Sequence, residues 1–417
     1  MSDLRVAFYG DDFTGSVDVL LQFARRGWTG RLFTALPDAA TLARAAAEAD
    51  VVGVAGIARS LPPAEMEAEL RPALTALAGL HPHIVQYKAC STADSSPVVG
   101  SLGRVLEIGR EVLGPRAVPM LFAQPDFGRF TVFGQHFAAE GGVVHRLDRQ
   151  PTMSTHPSTP MTESDLAVHL SRQTVLPLAS VPLPALAGLA DRLGDAPEAG
   201  LVLDALTDDD LATVGWALLA QPAPVFAIGS GGLSHGIAAA EPGDAAAPPR
   251  ATDSRGPVLV VSGSRSAQTR RQADAAAAAG WLVRPLALDD PGASLAEVMA
   301  ALRAGRSVVL TSDDADLRAA GDRPVLPAIA EAAGSVIAAA VRAGATRRVI
   351  VCGGDTSSRV IRLLGVESLS IAANPWGNVV LLRAHAADSA IDGLELLLKG
   401  GQVGAATLFS DVATLGA

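Results

Sequence analysis

Short apolar runs alternate with stretches of helical period along the whole chain, which is the pattern of parallel α/β architecture. Residues 4–9 read as a buried strand, followed by a Gly-Asp-Asp turn and a helix over about 14–26. Further strands are expected at 51–57, 84–88, 118–123, 201–203 and 225–228, and 130–137 alternates like a hairpin arm. After the strand at 84–88, Val98, Leu102, Val105 and Leu106 fall at helical spacing and predict one helix. Residues 140–165 carry no clear period, and a long irregular segment in a compact domain is usually functional or mobile.

The stretch 241–256, EPGDAAAPPRATDSRG, is rich in Pro, Ala and polar residues and reads as a linker. Beyond it the alternation restarts, with strands at 258–261, 308–310, 349–352 and 396–399 and helices at 267–279 and 329–343. No internal sequence repeat is visible. The expected fold is therefore α/β with two domains, each a mostly parallel sheet flanked by helices. The first spans 1–240 and the second 257–417.

Composition narrows the class. The 417 residues are 49% hydrophobic and 18% charged, which suits large buried cores and excludes a disordered or fibrous chain. No apolar run reaches the roughly 20 residues of a membrane span, and the N-terminus does not read as a signal peptide. Cys90 and Cys352 form no disulfide framework and lack metal-site spacing. A soluble cytoplasmic protein is expected, with no membrane partner. A net charge of −10 without a basic run argues against nucleic acid, yet leaves room for a local cationic pocket. Of 33 cationic residues only Lys88 and Lys399 are lysines. Where Arg replaces Lys so widely, the two survivors mark places that want a compact point charge.

In open parallel sheets, ligands bind beyond the carboxyl ends of the strands. In the first half those positions hold Asp11 and Asp12, Arg59, Lys88 with Ala89, Cys90, Ser91 and Thr92, and Asp126 with Arg129. Cations there would hold a carboxylate and aspartates would accept from hydroxyls, an inventory for a small polyhydroxylated anion. One Asp at a helix start is explained as a cap. Two adjacent ones are not. Cys90 reads as a packed residue, with no activating His beside it. In the second half three glycine loops follow strands: Ser262-Gly263-Ser264-Arg265-Ser266, Gly353-Gly354-Asp355-Thr356-Ser357 and Gly400-Gly401-Gln402-Val403-Gly404. Glycines admit phosphates to the backbone, and helix N-termini add free N–H groups and positive potential. Neither a Walker motif nor a GxGxxG fingerprint is present, so a dinucleotide dehydrogenase is disfavoured.

Taken together and in order, these motifs resemble the four-carbon acid sugar kinase family. The resemblance rests on Asp11 to Gly15 with Asp18, Arg59 to Pro62, Lys88 to Pro97, Gly128-Arg129 with Val132-Phe133, His156 to Met161, and the loops at Ser262, Gly353 and Lys399. It implies a sugar-acid-binding first domain and an ATP-binding second domain. Asp11, Asp12, Arg59, Lys88, Ala89, Cys90 and Ser91 would be substrate contacts. Ser264, Gly353, Gly354, Asp355, Thr356 and Gly401 would be ATP contacts. Arg265 and Gln402-Val403 depart from the family's usual residues there. The segment 128–165 looks closer to members acting on 3-oxo acids, 3-oxo-tetronate or 3-oxo-isoapionate, than to threonate or erythronate kinases. Lys88 and Arg59 would clamp the carboxylate, Asp12 or Asp355 would be the catalytic base, and Mg²⁺ would bridge the ATP phosphates with few protein ligands. A homodimer is the generic expectation. The other readings are a non-catalytic sugar-acid sensor and a nucleotide-dependent ligase or hydrolase. Gly-x-Ser-x-Gly is absent around Ser230 and Ser264, which gives a hydrolase no support.

Overall fold

The computed structural model describes residues 4–241, 243, 256–288, 295–312 and 324–415, with the side chain of Asp355 outside the description. The chain divides into two compact units, Met1–Ala247 and Pro248–Ala417. Most of 241–256, read above as a linker, lies outside the described residues.

The first unit opens with β1 (Val6–Gly10), α1 (Phe13–Ala24), β2 (Gly30–Phe33), α2 (Ala39–Glu48), β3 (Val51–Ala55) and α3 (Pro63–Ala78). It continues with β4 (Ile84–Lys88), α4 (Leu102–Leu113), β5 (Val118–Leu121), β6 (Arg129–Val132), β7 (Gln135–Glu140) and β8 (Val143–Arg146). Then come α5 (Pro151–Ser154), α6 (Leu166–Ser171), β9 (Leu178–Val181), α7 (Leu189–Asp195), β10 (Gly200–Leu203), α8 (Asp208–Leu219), β11 (Val225–Gly229) and α9 (Gly231–Ala240). Eight strands pair parallel in the order β2-β3-β1-β4-β11-β5-β10-β9. In β1, β3, β4 and β11 every residue is buried, because helices cover both faces. Such strands read as continuous apolar runs, which is why the sequence exposes them. β2 and β9 are four residues each and only partly buried, and they carry no such signal.

Two expectations change. Val98 is not helical: α4 begins at Leu102 with Ser101 as its cap, and Val98 is exposed. Pro97 and Gly100 hold that segment out of helix. Residues 130–137 are not one arm but both arms of a hairpin, β6 and β7, extended by β8 into a three-stranded antiparallel sheet. Its two-residue turn, Phe133 and Gly134, has φ of +50° and +77°, the primed-turn geometry that fits the strand twist.

The second unit holds β12 (Val258–Ser262), α10 (Ala267–Ala278), β13 (Leu282–Pro285), α11 (Leu295–Arg303), β14 (Val308–Thr311) and α12 (Val325–Arg342). β15 (Arg348–Cys352), α13 (Gly354–Leu363), β16 (Ser368–Trp376), β17 (Val379–His385), β18 (Glu395–Lys399) and α14 (Leu408–Thr414) follow. The strand order is β13-β14-β12-β15-β18-β17-β16, parallel except where β17 runs against both neighbours. The 18 residues of α12 are long and apolar enough to cross a membrane by length and composition alone. Yet 56% of it is buried within the fold, as in a core helix.

Candidate functional site

In the first unit the chain leaves β1 toward β2 on one side and leaves β4 toward β5 on the other. β1 and β4 are neighbours, so a topological switch point opens at their carboxyl ends. Asp11 and Asp12 follow β1, and Lys88 is the last residue of β4. Arg59 follows β3 in a short 3₁₀ turn.

Asp12 caps α1, its Oδ1 accepting the Gly15 N–H at 2.6 Å. The Arg59 fork donates from Nε and Nη2 to Asp11 at 3.0 and 2.7 Å, while Nη1 pairs with Asp12 at 2.6 Å. Burial pushes the Asp11 carboxyl upward and the Arg59 guanidinium pulls it back down. Two parallel N–H···O bonds need both Asp11 oxygens as acceptors, so the pair is ionised. Arg59 is thereby taken by two carboxylates. This corrects its expected role: it has no fork left to clamp a substrate carboxylate.

Lys88 is buried, and its Nζ donates to the Ala89 carbonyl at 2.7 Å. Beside it, Asp18 of α1 accepts from Gln22 at 2.9 Å and Gln124 at 3.1 Å. Burial pushes Asp18 upward, and the charge of Lys88 opposes the shift. The following residues are tied down. The Ala89 N–H donates to Gly229 at 2.8 Å, Cys90 Sγ contacts Thr92 Oγ1 at 3.1 Å, and the Ser91 carbonyl accepts from His136 Nε2 at 2.8 Å. That carbonyl can only accept, so Nε2 carries the proton and Nδ1 accepts from the Thr131 hydroxyl at 2.9 Å. Burial pushes His136 down to about 3, keeping it neutral. Asp126 turns away to Arg25, at 3.2 Å. The structure thus gathers Asp11, Asp12, Arg59, Lys88 and the 89–91 turn at one edge. It adds Asp18, which the motifs contained but to which no role was given, and His136, which lay in the segment 128–165 outside the motifs.

The second unit repeats the topology. The chain leaves β12 one way and returns beyond it to β15, so its switch point lies between the ends of β12 and β15. All three glycine loops meet there. A methyl on Gly263 would overlap Thr356 Oγ1, and one on Gly401 would overlap Ser264 Oγ. Ser266 and Thr269 both donate their hydroxyls to the Gly401 carbonyl, Thr269 at 2.7 Å. Ser264, Gly353, Thr356 and Gly401, taken separately from the sequence, are one cradle, with α10 and α13 beginning at its rim. Asp355 sits in the first turn of α13, its side chain outside the description.

Lys399 closes the cradle from below. It is buried, and its Nζ donates to Thr269 Oγ1 at 3.0 Å and the Gly400 and Gly401 carbonyls at 3.1 and 3.4 Å. Burial lowers its pKa, and no carboxylate among the described residues pairs with it. At the end of β14, Thr311 Oγ1 and Ser312 Oγ are buried without partners among the described residues, beside a cleft whose polar lining is Ser262, Thr269, Arg270, Asp274 and Thr311. Close-approach glycines, an uncompensated ammonium and idle hydroxyls fit a polyphosphate. Sequence reasoning missed Thr311 and Ser312, which carry no motif. Lys399 was signalled by being one of two lysines.

The comparisons agree with this division. Residues 6–237 match a sugar-binding N-terminal domain, and residues 259–409 a nucleotide-binding C-terminal domain. The chain is 38% identical to a 3-oxo-isoapionate kinase of Paraburkholderia graminis, covering 98% of this chain and 94% of that one. It is 31% identical to a 3-oxo-tetronate kinase of Pseudomonas fluorescens and 28% identical to a D-threonate kinase of Bordetella bronchiseptica, each over 96% of this chain and 94% of the relative. A solved structure from Haemophilus influenzae superposes with a TM-score of 0.81 at 20% identity, covering 99% of this chain and all of that one, and supports the fold alone. With both domains matched and near-complete coverage, the chain belongs to the four-carbon acid sugar kinase family.

Proposed function

We propose that this chain transfers the γ-phosphoryl group of ATP to a hydroxyl of a 3-oxo sugar acid, the branched 3-oxo-isoapionate before the four-carbon 3-oxo-tetronate. The carrying observation is the contrast between two switch points. One is rich in carboxylates and matched pairs, inside the sugar-binding match. The other, inside the nucleotide-binding match, holds a buried ammonium that pairs with no carboxylate among the described residues. The order of substrates follows the relatives: identity is higher to the 3-oxo-isoapionate kinase than to the tetronate and threonate kinases. We take 1–240 as the sugar-acid domain, 241–256 as the linker and 257–417 as the nucleotide domain, in a cytoplasmic enzyme.

Ser264, Gly353, Gly354, Thr356 and Gly401 would hold the phosphates, with Lys399 fixing the third loop. When bound, ATP with Mg²⁺ supplies the phosphoryl group and neutralises charge as transfer proceeds. Asp11 and Asp12, both held in place by Arg59, would accept from substrate hydroxyls. Lys88, buried between Asp11 and Asp18, would keep them from repelling. Of the two candidates for the base, Asp12 has one oxygen on the Gly15 N–H and the other on Arg59. Both oxygens of Asp12 are thus already engaged within the protein, and we assign the base to Asp355.

The test is ADP release with Mg·ATP against 3-oxo-isoapionate, 3-oxo-tetronates, threonates and erythronates, with mass spectrometry of the product. A phosphorylated 3-oxo acid is expected. Turnover of only a plain tetronate overturns the substrate reading. ATP consumption without a phosphorylated acid, or binding without turnover, overturns the kinase reading. Asp355→Asn should lose turnover far beyond Asp12→Asn, and the reverse order would move the base to Asp12.

A further inference from the structure

Arg129 differs from Arg59 in one respect that matters. It opens β6, immediately beyond the 3₁₀ turn at Pro125–Phe127 that follows β5, so it too stands past the carboxyl ends of the sheet. Its Nη1 donates to the backbone carbonyls of Phe127 at 2.6 Å and Ala139 at 3.2 Å. Its Nε is buried with no partner, and among the described residues no carboxylate comes within ion-pair distance. Burial lowers its pKa, with Cys90 and Glu140 acting only weakly in the other direction. A half-buried guanidinium carrying an idle buried N–H is costly unless something anionic completes it.

Its neighbourhood is the site already described. The backbone of Arg129 exchanges hydrogen bonds with Gln124 at 2.9 and 3.1 Å, and the Gln124 side chain donates to Asp18 beside Lys88 at 3.1 Å. The hairpin carrying Arg129 is fastened at two points. The turn N–H groups of Phe133 and Gly134 donate to the buried Asp204 at 2.5 and 2.9 Å, and His136 donates to the Ser91 carbonyl. The guanidinium is therefore held in place, as a preorganised receptor needs.

We propose that Arg129 receives the carboxylate of the sugar acid and so sets the requirement for an acid. The idea rests on the sugar-acid reading of this site. It gives the Nε–Nη2 edge, left over once Nη1 holds the two carbonyls, a bidentate anion, and it leaves Arg59 to the protein's own aspartates.

Arg129→Gln should raise KM for the acid on the order of 10- to 100-fold, the range for a lost hydrogen bond to a charged group, with KM for ATP unchanged. It should also erase the preference for the acid over its neutral amide, a readout that a merely structural role would not move. Cys90 gives a check that needs no nucleotide. It is partly exposed while Cys352 is buried, so the acid should shield it from iodoacetamide in the wild type and not in the variant. Should Arg129→Gln fail to fold, Arg129→Lys carries the test by keeping charge and stem but losing the fork. A raised KM for the acid alone supports the proposal, and an unchanged KM overturns it. If the wild type neither phosphorylates nor is shielded by any sugar acid, the proposed function itself falls. If it does both and Arg129→Gln keeps its acid preference, only the role of Arg129 falls.

Discussion

The two units begin with the same strand order: β2-β3-β1-β4 in the first corresponds to β13-β14-β12-β15 in the second. Each ends a strand of its parallel core on one of the chain's two lysines, both buried to about the same degree and both donating to the next residue's carbonyl. Around Lys88 stand Asp11, Asp12 and Asp18. Around Lys399 the described residues offer hydroxyls and carbonyls and no carboxylate. The second unit does own a buried ion pair, Arg348 to Glu395 at 2.7 Å, but that pair sits at the first residues of β15 and β18, the opposite end of the sheet. The same topology thus places matched charge at the ligand edge of one unit and, among the described residues, a lysine without a carboxylate partner at the ligand edge of the other. What distinguishes the two sites is the counterion, not the fold.

The hardest blow to this comparison comes from removing one cation at each edge. Arg59→Ala strands a buried Asp11, and breaking a buried pair in this way costs about 3–5 kcal/mol. Lys399→Met removes a buried charge that has no carboxylate partner among the described residues, so stability should hold or rise while affinity for ATP falls on the order of tenfold. Denaturant unfolding of both variants, with calorimetric titration of ATP into Lys399→Met, separates the two. Equal losses of stability would show that Lys399 is structurally matched after all.

Glycine substitutions test the same edges kinetically. Gly401→Ala drives a methyl into Ser264, and a displacement of that kind at a positioning loop costs roughly 100-fold in kcat/KM, here through ATP. At Gly15 the methyl would come 2.6 Å from Asp12 Oδ1 and 2.9 Å from Lys88 Nζ, so Gly15→Ala should penalise the acid. Steady-state kinetics with each substrate varied in turn should show the penalties falling on opposite substrates. A shared penalty would break the division of labour.

Much of this was legible from residues alone, for a definite reason. Strands buried on both faces, such as β1, β4, β12 and β15, print unbroken apolar runs, and the polar residues just beyond them are the sites. What failed to show was whatever depends on pairing across the chain. Nothing local says that Arg59 is consumed by Asp11 and Asp12 while Arg129, seventy residues on, is left open. Val98 kept a helical spacing in a segment whose Pro and Gly forbid helix. β2, β9 and β13 are four-residue strands with partly buried patterns, too short to print a period.

Acid should separate the units as well, more gently. His136 is held down at about 3 and His169 at about 4, both mainly by burial, against an ordinary 6.5. Both belong to the first unit, whereas the second holds His385 alone. Folded-state values below the unfolded one mean that the unfolded chain takes up protons first. Stability is therefore whole above pH 6.5 and is lost as pH falls toward 4 and 3. Hydrogen exchange on the full chain, read by mass spectrometry between these limits, should show the first unit opening before the second. The reverse order would count against buried neutral histidines as the acid-sensitive element.

The smallest expected effect bears on the least expected residue. Thr311 ends β14 with its hydroxyl buried and, among the described residues, unpartnered, and an unmet buried hydroxyl carries a desolvation cost without return. Thr311→Val keeps the branched shape and removes that cost, so the second unit should gain up to about 1 kcal/mol of stability. If the hydroxyl is kept for the nucleotide, the same variant should bind ATP a few-fold more weakly, trading affinity for stability at one atom. No substitution of a matched residue such as Asp11 could do that, because each lost partner there strands another. Melting and calorimetric titration of Thr311→Val with and without ATP read both halves at once. A variant that gains stability and loses no affinity would mark Thr311 as a packing flaw rather than part of the cradle, and would confine the unmatched edge to Lys399 and its loops.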